Sequence, residues 1–113
     1  SAVLNLNGGE KKMIYFRYNG KTYKFDMKKA TKLGTDRWNP RTGNENRYWD
    51  TIWKSATGKY VICSDTIYQD GVASWRVATE REVLEMLSDP GMTLTEAGEE
   101  ERELLAAKYA EEL

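Results

Sequence analysis

The chain contains no histidine, and Cys63 is the single cysteine among its 113 residues. Histidine is the most common general base near neutral pH, so Ser-His-Asp and Cys-His catalytic arrangements and imidazole ligation of a metal are excluded. One cysteine cannot form an internal disulfide, nor a Cys₄ zinc site within one chain. We therefore predict a non-enzymatic protein with no catalytic residues, no metal site and no cofactor.

Phosphate-binding loops and long apolar runs are absent as well. The sequence contains neither GxxxxGK[ST] nor GxGxxG. No apolar run approaches the roughly 18 to 20 residues that a membrane-spanning helix needs, and the N-terminus lacks the basic-then-apolar order of a signal peptide. These absences, together with the lone cysteine, predict a cytoplasmic protein without a membrane partner.

The N-terminal residues differ in composition from the rest of the chain. The sequence starts with serine rather than methionine, and residues 1–12 are mostly polar. We interpret this segment as a disordered leader or as residues left by cloning. Residues 13–113 then form one α+β domain, because a chain of this length is large enough to fold without disulfide or metal cross-links.

The small net charge of −1 conceals a division between the two halves of the chain. Residues 1–63 hold 13 Lys and Arg against 5 Asp and Glu, a net of +8, whereas residues 64–113 hold 4 against 13, a net of −9. Such asymmetry is typical of a nucleic-acid-binding face joined to an acidic segment, or of an acidic helix offered to a basic partner. It also fits acidic helices that pack beside a basic sheet, within one chain or across a dimer.

A β-hairpin is predicted at the start of the domain. Residues 13–18 and 21–26 alternate apolar and polar side chains around Asn19-Gly20, and this dipeptide accepts the two positive φ angles of a type I′ turn. The turn fixes the register, which sets one aromatic and aliphatic face against one polar face. The predicted core residues of the hairpin are Ile14, Phe16, Tyr23 and Phe25.

Three further strands are predicted over residues 47–78, as a meander with turns near residues 55–58 and 69–71. Three of the four tryptophans, Trp49, Trp53 and Trp75, lie in this stretch. Large apolar side chains are usually buried, so we expect them to form the core under the C-terminal helices. The alternative is that Trp49 or Trp53 stands on an uncovered face as a docking surface, because aromatic residues are enriched in interfaces.

A basic segment joins the hairpin to the meander. Residues 27–33 predict one or two helical turns that end at Gly34, and their lysines would share one side of the helix. Together with two lysines of the hairpin they form a candidate phosphate-attracting patch, for which the alternative is an ordinary solvated surface. The residues of this patch are Lys21, Lys24, Lys28, Lys29 and Lys32.

Residues 35–46 form the longest segment without a regular pattern. Asn39-Pro40 and Thr42-Gly43-Asn44 are turn signals, and loops of about twelve residues are often functional. The segment is therefore the candidate binding loop. In the alternative interpretation, Trp38 fills the core and the remainder is an ordered connection. The candidate binding residues are Arg37, Trp38, Arg41, Glu45 and Arg47.

Two helices are predicted after the meander. Thr79 and Glu82 have the spacing of a capping box, which starts the first helix, and residues 88–91 end it. The second helix begins after Thr93 or Thr95 and continues toward the C-terminus. It is acidic and has a narrow apolar stripe, and Gly98 in its first turns lowers helix stability by up to about 1 kcal/mol.

Part of this pattern resembles small accessory proteins of plasmids, phages and related mobile elements. The segments concerned are residues 49–65 (WDTIWKSATGKYVICSD), residues 74–76 (SWR) and the helix start at residues 78–82 (ATERE). Such proteins share a Thr-x-aromatic strand, a Gly-Lys/Arg-Tyr turn and a Trp-containing strand that leads into a Thr-Glu-Glu helix. The segment 64–70 lacks the glycines that these proteins often carry there. The resemblance implies a prokaryotic or phage accessory protein and brings no catalytic residue.

The sequence thus predicts an α+β fold with an antiparallel sheet of about five strands, made of the hairpin and the three-strand meander. A short helix connects them, and two C-terminal helices pack against one face. We expect a small interaction module that binds protein, by self-association as a homodimer or by inhibition of a partner. The alternative is a nucleic-acid-binding protein that uses the basic, aromatic N-terminal half.

Overall fold

The computed structural model describes residues 13–113, and the predicted leader at residues 1–12 lies outside them. The fold is α+β, as predicted. It comprises a five-stranded antiparallel sheet, a separate two-stranded hairpin, one 3₁₀ turn and two helices. In chain order the elements are β1 (Met13–Tyr18), β2 (Lys21–Asp26), a 3₁₀ turn (Met27–Lys29), β3 (Thr31–Thr35), β4 (Tyr48–Lys54), β5 (Tyr60–Thr66), β6 (Ser74–Ala78), α1 (Glu80–Leu87), β7 (Thr93–Leu94) and α2 (Glu96–Tyr109).

The hairpin of β1 and β2 has the predicted register, with Phe16 opposite Tyr23. Asn19 and Gly20 have φ angles of 49° and 77°, both positive as a type I′ turn requires. The hairpin does not extend the main sheet by edge pairing, however. It lies across one face of that sheet, where the Phe25 ring packs 6.2 Å from the Trp53 ring. In this position its apolar face is buried against the main sheet.

The main sheet has the strand order β6-β5-β4-β3-β7, and every neighbouring pair is antiparallel. The predicted meander is confirmed as β4, β5 and β6. The predicted short connecting helix is present as a single 3₁₀ turn, Met27–Lys29. It is shorter than the predicted range of residues 27–33, because the chain extends into β3 from Thr31 onward. Pairing with β4 satisfies the backbone of β3, whereas a helix of seven residues has little stability of its own. Gly34 consequently lies within β3 and is not a helix cap.

Both faces of the main sheet are covered. On one face α1 and α2 pack over a core that includes Leu33, Ile52 and Ile62. On the other face the hairpin packs over Val61 and Trp75. We name these the helix face and the hairpin face. Alternate residues of a strand point to opposite faces, so residues 49, 51 and 53 of β4 share the hairpin face.

This arrangement corrects the expectation for the tryptophans. Trp75 is buried and Trp53 is partly buried, but both lie in the core under the hairpin and not under the C-terminal helices. The reason is register: Trp53 pairs with Val61, and Trp75 pairs with Cys63. Residues that pair directly across antiparallel strands point to the same face.

The two helices begin where the capping signals predict. Thr79 Oγ1 accepts from the backbone N–H of Glu82 at 3.2 Å, and Thr95 Oγ1 accepts from that of Gly98 at 3.0 Å. The Glu82 carboxylate also lies 2.6 Å from the Arg76 guanidinium, which ties α1 to β6. Within residues 13–113, neither helix has the length and apolar character to cross a membrane.

Candidate functional site

The segment between β3 and β4 folds back on itself as a small, irregular hairpin. Trp38 and Glu45 form an isolated β-bridge, and the backbone N–H of Asn46 donates to the Arg37 carbonyl at 2.8 Å. At the tip, the Asn39 side chain accepts from the backbone N–H of Arg41 at 2.9 Å. The predicted irregular loop is therefore held in one shape by backbone hydrogen bonds, although it lacks a regular strand or helix.

Arg37 is the centre of a side-chain cluster at the base of this segment. Its Nε lies 2.7 Å from a carboxylate oxygen of Glu45. Its guanidinium carbon lies 5.3 Å from the ring centroid of Trp38 and 4.7 Å from that of Trp49, distances at which a cation is attracted to an aromatic face. We call Arg37, Trp38, Glu45 and Trp49 the Arg37 cluster. It lies on the hairpin face, at the end of the main sheet where β4 begins.

Trp38 remains accessible within the Arg37 cluster. Its side chain is 48% exposed, so it does not fill the core as the alternative interpretation required. Trp49 is half-buried, in contrast to the exposed docking residue that one interpretation of the meander proposed. The Arg37 cluster thus presents one accessible indole, that of Trp38. Its orientation is set by the Arg37 guanidinium and by the β-bridge between Trp38 and Glu45.

The structure brings together three of the five predicted binding residues and separates the other two. Arg37, Trp38 and Glu45 are in the cluster, whereas Arg41 lies at the exposed tip of the segment. Arg47 is exposed, and its carbonyl accepts from the Thr66 hydroxyl at 2.7 Å. Neither arginine side chain takes part in an ion pair or cation–π contact with any residue from 13 to 113. Both positive charges are therefore available to a ligand.

Sequence reasoning missed two accessible tyrosines at the same end of the sheet. Tyr48 is 69% exposed, and its ring centroid lies 5.7 Å from that of Tyr68. The sequence contains a signal for Tyr48. It directly precedes Trp49 in β4, so the two side chains must point to opposite faces of the sheet. Seven large hydrophobic side chains are exposed among the described residues, and five lie at this end of the sheet. These five are Trp38, Tyr48, Ile67, Tyr68 and Val72.

An open cavity of about 400 Å³ lies beside Tyr48 and Val72. It is bordered by Asp50, whose carboxylate accepts from the Ser64 hydroxyl at 2.5 Å, and by Asp36, whose carboxylate accepts from the Asp50 backbone N–H at 2.7 Å. Burial raises the pKa of the Asp36 carboxyl above its ordinary value, and this effect outweighs the opposing effect of that hydrogen bond. Across the described part of the chain, no three acidic or thiol side chains are arranged to hold a metal ion.

The predicted basic patch does not form a single helix face. Its five lysines are distributed over β2, the 3₁₀ turn and β3, and all five are exposed. The ion pairs of residues 13–113 involve other cations: Arg37, Lys54, Arg76 and Lys108. Two of those pairs, Lys54 with Glu101 and Arg76 with Glu82, join the main sheet to the helices. The acidic helices thus neutralise part of the basic sheet, whereas the five lysines of the patch form no ion pair with any other described residue.

Comparison of the chain with protein-family models, with curated proteins and with solved structures finds no match. The resemblance to accessory proteins of mobile elements therefore stays a prediction.

Proposed function

We propose that this protein is a small non-enzymatic interaction module that binds a protein partner through one end of its main sheet. The observation that carries this proposal is that exposed Trp38, Tyr48 and Tyr68 share one end of the main sheet. Trp38 belongs to the preformed Arg37 cluster on the hairpin face, and the Tyr48–Tyr68 pair lies at the same end on the opposite face. Tryptophan, tyrosine and arginine are the residue types that most often dominate the energy of a protein interface. Their collection at one end of a small domain fits a docking surface.

The order of this surface supports the proposal. An interface side chain that is already fixed loses less conformational entropy when a partner binds. Trp38 is fixed by its β-bridge to Glu45 and by the Arg37 cation, and Tyr48 is fixed by its place in β4 and by the Tyr68 ring. The surface is therefore largely organised before a partner arrives.

The unpaired charges indicate the chemistry of the partner. Glu45 neutralises Arg37, whereas Arg41 and Arg47 have no ion pair with any described residue. A complementary surface would offer apolar or aromatic groups to the tryptophan and tyrosines and carboxylates to the two arginines. Such a surface could belong to a second copy of this chain, giving a homodimer, or to another protein whose activity is inhibited. Either mode fits the cytoplasmic accessory protein of a mobile element that the sequence pattern implies.

The test compares one double variant with a matched control. Trp38→Ala/Tyr48→Ala removes two exposed aromatic groups from the sheet end, whereas Leu104→Ala removes an exposed apolar group from α2, where Leu104 is 66% exposed. Self-association is measured by sedimentation velocity, and partner capture by affinity purification with quantitative mass spectrometry. We expect the double variant to lose dimerisation or a specific captured protein at least about tenfold, which corresponds to about 1.4 kcal/mol. Leu104→Ala should behave as the wild type. Undiminished association of the double variant would contradict the proposal.

A second candidate function is nucleic-acid binding by the N-terminal half. The observation that favours it is that all five patch lysines are exposed and form no ion pair with a residue from 13 to 113. Arg17 of β1 is exposed as well. A two-stranded ribbon is narrow enough to enter the major groove of DNA, and lysine supplies the salt-dependent part of the affinity.

Fluorescence anisotropy with random single- and double-stranded DNA tests this second function across a salt series. Lys21→Glu/Lys28→Glu reverses two charges in the patch, and Arg102→Glu makes the same kind of change on α2. We expect the patch variant to weaken binding and to reduce the slope of log affinity against log salt by about 2, whereas Arg102→Glu changes neither. An absence of salt-sensitive binding at low ionic strength would remove this candidate.

A further inference from the structure

A groove opens between the hairpin and the main sheet, at the end of the molecule opposite the Arg37 cluster along β4. Its volume is about 310 Å³, which is within the range of small-molecule sites. The floor is formed by Phe25 of β2, Val61 of β5 and Val77 of β6. The turn between β4 and β5, with Ala56 and Thr57, forms one side.

The charges around this groove are nearly all positive. Lys24, Lys29 and Lys59 border it from three different elements: β2, the 3₁₀ turn and the residue before β5. Each of these lysines is exposed, and none forms an ion pair with a residue from 13 to 113. The one carboxylate in the lining, that of Asp26, accepts from the backbone N–H of Lys28 at 3.0 Å and is held by the 3₁₀ turn.

The groove therefore combines an apolar floor with a cationic rim. A ligand that fits both needs an apolar body of small volume and one anionic head group. A cation would face three lysines, and an uncharged apolar compound would leave those lysines without an ionic partner. An extended polyanion would contact the lysines but would not use the apolar floor.

We propose that this groove binds a small amphipathic carboxylate, with its apolar body against Phe25, Val61 and Val77 and its carboxylate among the rim lysines. The complementarity of charge and the apolar lining carry this assignment, and neither depends on the sheet end proposed for protein binding. The groove is thus a second site, formed where the hairpin crosses the sheet.

Octanoate is a suitable probe because it has an apolar tail and a single carboxylate. Binding is measured on the full chain by following the methyl resonances of Val61 and Val77 during titration. Octyltrimethylammonium serves as a comparison with the same tail and the opposite charge. Three variants complete the test: Lys29→Glu/Lys59→Glu reverses two rim charges, Lys32→Glu reverses an exposed charge outside the lining, and Ala56→Trp fills the groove from the exposed turn.

We expect saturable shifts of both valine methyls with octanoate and none with octyltrimethylammonium. Affinity should fall at least about tenfold in Lys29→Glu/Lys59→Glu and by less than about twofold in Lys32→Glu, because Coulomb attraction falls with distance and is weakened by solvent. Ala56→Trp should abolish the shifts while the amide spectrum stays that of a folded chain. The proposal is overturned if the full chain shows no saturable binding, if the cationic probe binds equally well, or if both groove variants bind octanoate like the wild type.

Discussion

Gly98 lies directly against the carbonyl oxygen of Leu33: a Cβ added at Gly98 would stand 1.8 Å from that oxygen. The same carbonyl accepts from the backbone N–H of Thr95 at 2.9 Å. The Thr95 hydroxyl lies 2.7 Å from the Lys32 carbonyl, to which it donates. The first turn of α2 is therefore seated on the backbone of β3, and the glycine that weakens an isolated helix is what permits this approach.

Substitution Gly98→Ala should destabilise the protein. Helix propensity alone would stabilise it by up to about 1 kcal/mol, whereas the clash with the Leu33 carbonyl requires α2 to shift. We expect a net loss of about 1 to 3 kcal/mol in the free energy of unfolding, the range of overpacked sites. Urea denaturation measures the change. Ala107→Gly, at an exposed position of the same helix, gives the size of the propensity effect, and a stabilised Gly98→Ala would show that the close approach has no energetic consequence.

The ion pair between Lys54 and Glu101 should contribute more than an exposed pair. Glu101 is only 8% exposed, it lies 2.9 Å from the Lys54 ammonium, and it accepts a hydrogen bond from the Tyr60 hydroxyl. Removing Lys54 leaves the buried Glu101 carboxylate without its cationic partner. Lys54→Met should therefore lower the free energy of unfolding by about 2 to 3 kcal/mol. Replacing both groups, as in Lys54→Met/Glu101→Leu, should cost less than the sum of the single changes.

A double-mutant cycle by urea denaturation measures this coupling. The exposed pair of Lys108 with Glu80 is the control, and we expect its coupling to remain below about 1 kcal/mol. Equal coupling in the two cycles would mean that the burial of Glu101 is without effect on stability.

Cys63 should be unreactive in the folded protein and should make stability fall at high pH. Burial raises the pKa of the Cys63 thiol to about 12, and the nearby Asp65 and Asp50 carboxylates add to this effect. The folded state holds the thiol proton more tightly than the unfolded chain does. The contribution of this proton to the free energy of unfolding is therefore complete at pH values below the ordinary thiol pKa of about 8.5. This contribution is lost as the pH rises toward the thiol pKa of the folded state, and the free energy of unfolding falls by up to about 1.4 kcal/mol per pH unit.

Two measurements check this prediction. Thiol labelling at pH 8 should proceed only as fast as the chain unfolds, and it should become rapid in urea. The unfolding free energy should fall more steeply above pH 9 in the wild type than in Cys63→Ala, in which the thiol is missing. Rapid labelling in native buffer would contradict the burial of this side chain.

Trp38 and Trp75 should differ strongly in their contribution to stability. Trp75 is 8% exposed in the core under the hairpin, so Trp75→Ala should cost about 3 to 5 kcal/mol. Trp38 is about half exposed, and Trp38→Ala should cost less than about 1 kcal/mol, close to the usual range for surface residues. Urea denaturation compares the two variants. If Trp38→Ala is as destabilising as Trp75→Ala, the Arg37 cluster is a structural element and not an available surface.

Much of the fold is predictable because its signals are local. The Asn19-Gly20 turn fixes the register of the hairpin, and the capping residues Thr79 and Thr95 start the helices. Strand β3 was not predicted, because the interactions that form it are with residues distant in the sequence. Its sequence has weak alternation and is compatible with a short helix, and it becomes a strand only because β4 supplies its hydrogen-bond partners on one side and β7 on the other.

The candidate site also has a part that the sequence predicts and a part that depends on the tertiary structure. Residues 35–46 were recognisable from turn signals, and Arg37, Trp38 and Glu45 were among the predicted binding residues. Trp49 was recognised as aromatic, but its contact with Arg37 depends on how the segment folds back onto β4. Tyr68 was missed because it meets Tyr48 only after β4 and β5 pair.

By itself, the sequence determined the hairpin with its register, the meander, the helix starts and the separation of charge along the chain. These features follow from alternation, turn chemistry and capping, which act between residues close together in the chain. Only the tertiary structure decided that the hairpin lies across the sheet, that residues 31–35 form a strand, and which charged side chains of residues 13–113 form ion pairs with one another. Those outcomes depend on burying two apolar faces at once and on backbone contacts between distant residues, such as Gly98 against Leu33, that no local pattern encodes.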